Sequence, residues 1–103
     1  MAIAQTTVSN TLSSIYTSSG STAITIIFFM NNDTSDVVLS VAIKAGGGAS
    51  SIAANGIIKE ITIAAGDTYV LDVEKFVLEN GDEIHAVAST PGVVVATMTY
   101  AEL

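Results

Sequence analysis

The chain has 103 residues with ten acids, three lysines (Lys44, Lys59, Lys75), no arginine and no cysteine, for a net charge of −7. This is one domain's worth of sequence. The charge excludes partners that must be neutralised by cations, nucleic acid above all, and the missing cysteines exclude disulfides, thiolate catalysis and zinc–thiolate sites. Half the residues are hydrophobic and only 13% are charged, so part of the apolar surplus is expected to lie against other subunits rather than water.

In chain order, residues 1–20 ("MAIAQTTVSNTLSSIYTSSG") are rich in Ser and Thr and read as an N-terminal arm, with the folded domain over residues 21–103. They lack the basic and apolar regions of a signal peptide, so none is expected. The next segment, "TAITIIFFMN", is apolar on both faces. Strict alternation puts Ile24, Ile26, Phe28 and Met30 on one side and Ile27 and Phe29 on the other. The first set is expected in the core, and Ile27 and Phe29 become the candidate subunit contact. Its apolar run, "AITIIFFM", is far shorter than the ~20 residues of a spanning helix, so no membrane partner is expected.

"NNDTSD" (31–36) reads as a turn, since Asx side chains bond their own backbone. As an oxygen-rich loop it is also a weak Ca²⁺ candidate, but it lacks the spacing, glycine and distal glutamate of an EF-hand. In residues 36–44, Val37, Leu39, Val41 and Ile43 share one strand face, opposite Ser40 and Lys44. "AGGGASSIAANG" (45–56) reads as a long loop without the Lys-Ser/Thr of a phosphate-binding P-loop. It ends in Asn55–Gly56, the strongest hairpin dipeptide.

"GIIKEITIA" (56–64) is a further strand. "AGD" (65–67) is a turn, and after it Tyr69, Leu71 and Val73 alternate with Thr68, Val70 and Asp72. "VEKFVLEN" (73–80) is expected to be extended, anchored by Phe76 and Leu78. Asn80–Gly81 and Pro91–Gly92 are turns. Between them Ile84, Ala86 and Ala88 share a face opposite Glu83, His85 and Val87. "GVVVATMTY" (92–100) is apolar on both faces. With one or two further segments before residue 20, the sum is about seven or eight strands of an all-β, antiparallel sandwich, either jelly-roll or immunoglobulin-like.

His85, the single histidine, thus points away from the core beside Glu83. A catalytic histidine needs a nucleophile and an orienting group, and no G-x-S-x-G elbow is present. One histidine without cysteine makes a poor transition-metal site. The remaining acids are scattered over turns and strand edges, where they read as solvated faces rather than a glycosidase pair. No enzymatic activity, cofactor or resident metal is expected.

Four segments together carry a family resemblance: the "IYT" opening, the aliphatic strand closing in "NND", the strand-turn-strand "ITIAAGDTYVLD", and "VLENGDEIHAVAS". They resemble the small β-sandwich virion structural proteins of tailed bacteriophages. The resemblance implies a non-enzymatic virion part, made in the host cytoplasm. Capsid decoration or cement comes first; a neck, tail or fibre-attachment adaptor is the close alternative. It implies partners in the chain itself, as a homo-oligomer (a trimer in the decoration case), and in other virion proteins such as the major capsid protein. A carbohydrate-binding module is the alternative of another class. Only the sandwich architecture favours it, since the chain has no Trp and few aromatic platforms.

Overall fold

Val, Ile and Thr, stiff at χ1 and suited to a pleated surface, dominate the segments between turns. In a computed structural model, which describes residues 2–46, 51–72 and 76–103, those segments form nine strands. They are β1 (Ala2–Val8), β2 (Ser13–Thr17), β3 (Thr22–Asn31), β4 (Val37–Lys44), β5 (Gly56–Ile63), β6 (Thr68–Leu71), β7 (Phe76–Leu78), β8 (Glu83–Ala88) and β9 (Val94–Glu102). A single helical turn, α1 (Ile52–Asn55), precedes β5.

The strands build two antiparallel sheets. The first has the order β1-β9-β3-β6, with β7 also pairing β3; the second has the order β2-β8-β4-β5. β6 pairs with residues 27–30 of β3 and β7 with residues 22–24, so the two occupy one flank of the same strand. Counted as one interrupted strand, they make the fold eight-stranded. Every connection then crosses between sheets except β4 to β5. This is jelly-roll connectivity, which decides between the two sandwich types expected.

The core is aliphatic. Ile24, Ile27, Phe29, Val94 and Met98 from the first sheet meet Leu39, Val41, Ile84 and Ala86 from the second. Val37, Leu39 and Val41 are buried as the alternation predicts, and so are Leu71 and Leu78. Val73 and the Phe76 side chain, expected on the same inner faces, lie outside what the structure describes.

Three expectations change. Residues 2–8 and 13–17 are not an arm: they are edge strands, β1 against β9 and β2 against β8. Their Ser/Thr content is strand chemistry, because threonine is β-branched. The division at residue 20 therefore gives way to one sandwich. Asn55–Gly56 is not a hairpin turn either. Ser51 caps α1 by accepting from the Ala54 N–H, and Gly56 has an ordinary extended backbone (φ −66°). Glycine is needed there because an added Cβ would collide with the Ile52 carbonyl oxygen. Of the expected loop at 45–56, residues 47–50 lie outside the described residues.

The third change is the parity of β3. Its register against β9 shifts between Ile24 and Ile26. The bulged Thr25 hydrogen-bonds to Thr99, and every later side chain changes face. Ile27 and Phe29, the expected subunit contacts, are fully buried in the core (0% exposed), while Phe28 and Met30 are each 37% exposed.

Candidate interaction surface

The bulge at Thr25 leaves Ile26, Phe28 and Met30 on the outer face of the first sheet. Register places Gln5, Thr97, Phe28 and Val70 in one row across it. The neighbouring rows hold Ile3, Thr99 and Ile26 on one side, and Thr7, Val95, Met30 and Thr68 on the other. Ile3, Phe28, Met30 and Val70 are exposed. Among the described residues of these strands the only charged one is Glu102, at the end of β9. Among the described residues, a chain of charge −7 therefore has one broad sheet face free of charge.

The second sheet carries an ion-paired outer cluster, with exposed Val38 on β4 and Ile57 on β5 elsewhere on the sheet. Glu83 pairs across from Lys44 on β4 and Thr17 on β2, and His85 lies between Ser14 and Ala42. The Glu83 carboxylate binds Lys44 Nζ at 3.2 Å and His85 Nε2 at 3.1 Å. Hydrogen bonding from His85 first, then Lys44, with a smaller contribution from Ser14, holds its pKa below the ordinary range, against the opposing effect of burial.

His85 thus faces outward beside Glu83, as its strand position predicts, yet only 8% of it is exposed. Its Nδ1 is buried without a partner. Ser14 stands opposite in register, but its hydroxyl pairs with Thr17 Oγ1 at 3.2 Å. The imidazole therefore serves as a cross-link to Glu83 in a strand-surface cluster.

The loop weighed as a weak Ca²⁺ candidate is a structural staple. Asn31 is fully buried. Its Nδ2 donates to Ser35 O (2.9 Å) and Ile63 O (3.0 Å), and its Oδ1 accepts from Asp33 N–H (2.9 Å). Asp33 Oδ1 accepts from Thr34 N–H and Asp36 Oδ1 from Ala65 N–H. These oxygens already serve the β3–β4 and β5–β6 turns. Among the described residues no three His, Asp or Glu side chains are grouped to hold a metal ion.

At the other end of the sandwich, Asp82 accepts from the backbone N–H groups of Gly46 (2.9 Å) and Glu79 (3.0 Å). Those two bonds lower its pKa. Tyr16 and Tyr100 pack against each other, with ring centroids 5.3 Å apart. Among the described residues, Phe28 is the large aromatic exposed on the first sheet.

Fold and surface define a jelly-roll sandwich with one charge-free and one ion-paired outer face. Compared with known proteins, the chain matches no protein family, no curated protein and no solved structure.

Proposed function

We propose that this chain is a non-enzymatic structural protein of a tailed-phage virion, a homo-oligomeric capsid decoration or cement subunit. Its docking surface is the outer face of the β1-β9-β3-β6 sheet. The observation that carries the reading is the pairing of that face's exposed Ile3, Phe28, Met30 and Val70 with an absence of charge, in a chain otherwise strongly acidic. Apolar area that excludes charge is what the centre of a protein–protein contact is made of.

The resemblance to phage sandwich proteins supports the virion assignment. Its four segments fall on β2, the end of β3, the β5-turn-β6 unit and the β7-turn-β8 unit. The partners are further copies of the chain and a larger capsid protein. The contribution to the particle is buried aliphatic surface, at about 25 cal/mol per Å² of apolar area removed from water.

Native mass across a dilution series, with class averages for rotational order, tests this. A stable homo-oligomer of low order is the expected result for capsid decoration. A sixfold or twelvefold ring redirects the assignment to the neck or tail. A strict monomer at all concentrations overturns homo-oligomerisation.

A further inference from the structure

An open sheet edge carries a row of unpaired N–H and C=O groups, and proteins that stay monomeric blunt such edges with short strands, bulges, interruptions or charge. This sandwich has four edges, and three are blunted. β2 has five residues and a register shift between Ser14 and Tyr16. β5 has two register shifts against β4, contains Lys59 and Glu60, and holds Glu60 at a left-handed φ of 56°. The β6/β7 edge presents two short strands, of four and three residues.

β1 has none of these protections. All seven residues pair with β9 in unbroken register, from Ala2 opposite Tyr100 to Val8 opposite Val94. Its sequence, AIAQTTV, has no charge and no proline. Among the described residues only β9 pairs with it.

We infer that β1 is the site at which a second copy of this chain adds to the first sheet, antiparallel, strand against its own counterpart. This rests on the homo-oligomeric reading above and names its contact. Three observations select a second copy. The edge is self-complementary: centred on Gln5, the full seven-residue length overlaps, Ala2 faces Val8, Ile3 faces Thr7, and Gln5 faces Gln5. A chain of charge −7 meets its twin without repulsion only where charge is absent, and β1 with the face behind it is such a place. The contact is also continuous with the apolar face: Ile3, 67% exposed, stands in the row of Thr99 and Ile26. Edge pairing therefore doubles the width of the charge-free surface offered to a capsid.

A contact of this kind is isologous and closes on a twofold axis. The test exploits the missing cysteines. Gln5→Cys places one thiol on an exposed position, opposite its counterpart at a Cβ separation of about 4.5–5.5 Å, close enough for mild oxidation to bridge the pair. Thr68→Cys, exposed on the opposite edge of the same sheet, is the control. The expected result is a covalent dimer from the Gln5 variant and none from the control. Gln5→Lys sets two ammonium groups face to face and is expected to weaken the dimer by about a hundredfold or more, while Thr68→Lys leaves it unchanged. Circular dichroism and thermal melting confirm that both lysine variants fold.

An even-numbered native mass with these responses supports the inference. A trimer, or an oligomer indifferent to Gln5→Lys and unbridged by Gln5→Cys, overturns it and leaves the oligomeric reading intact. A monomer at every concentration overturns both.

Discussion

The two outer faces of this sandwich are built from the same strand chemistry and put to opposite uses. On the second sheet, Glu83 pairs with Lys44 across the strands and with His85 two residues along its own strand. On the first, Phe28 and Val70 occupy the equivalent central row with only Gln5 and Thr97 beside them. A face that is to remain in water gains from such polar coverage, whereas one that is to be covered gains from its absence. Exposed apolar residues are informative here through what does not accompany them.

The sharpest way to test that contrast runs along β3, where neighbours have opposite destinations. Phe29 fills the core and Phe28 faces out. Phe29→Ala is expected to cost about 3–5 kcal/mol through lost burial and the cavity left behind, read as a lower urea midpoint. Ile27→Asp, which buries a carboxylate among aliphatic groups, is expected to abolish folding. Phe28→Asp is expected to change stability by less than about 1 kcal/mol while lowering the native mass at any given concentration. A Phe28→Asp variant that assembles like the parent protein would break the assignment of the outer face.

The next effect concerns the residue that ties the two sheets together. Asn31 belongs to the first sheet, yet its amide donates to Ile63 of the second. Asn31→Ala leaves a buried carbonyl and a turn N–H without their partner and is expected to cost about 2–3 kcal/mol. Asn31→Asp is expected to cost at least as much, since a carboxylate cannot donate. Because the residue is buried between the faces, the native mass of either variant should stay that of the parent under conditions where it is folded.

Much of this architecture was readable from alternation, because a strand shows its faces every second residue. Val37, Leu39 and Val41, and likewise Ile84, Ala86 and Ala88, face inward as their spacing predicts. Glu83 could be placed beside His85 from sequence, but not opposite Lys44, since that pairing depends on register between strands distant in the chain. Alternation failed on β3 for a definite reason: a bulge resets parity, and Thr25, a polar residue dividing two apolar runs, was its visible mark. The edge strands before residue 20 are counted from sequence only as one or two unplaced segments, and for another reason. β1 and β2 draw only half their partners from the sheet, so their sequences carry little of the burial signal that marks central strands. Asn55–Gly56 shows the limit of dipeptide rules, since a glycine required for close approach is indistinguishable in sequence from one required for a left-handed turn.

The smallest expected effect lies on the second face and has a definite sign in pH. His85 and Lys44 hold the Glu83 carboxyl below its ordinary 4.5. The unfolded chain therefore takes up the proton first as pH falls, and protonation favours unfolding. The Glu83 contribution is fully present above about pH 4.5 and disappears as pH drops through the lowered folded-state value. A surface cluster of this kind contributes at most about 1 kcal/mol. Glu83→Gln should therefore be slightly less stable than the parent protein at pH 6, and the difference should shrink steadily below pH 4.5 in urea titrations. Asp82, lowered by its two backbone donors, adds a parallel loss that the variant retains, so some acid sensitivity persists. The first face has no titrating group in its central rows, and its contacts should hold through the same range. Native mass at pH 6 and in mild acid then separates the two surfaces: association that weakens in step with Glu83 protonation would place the contact on the ion-paired sheet instead.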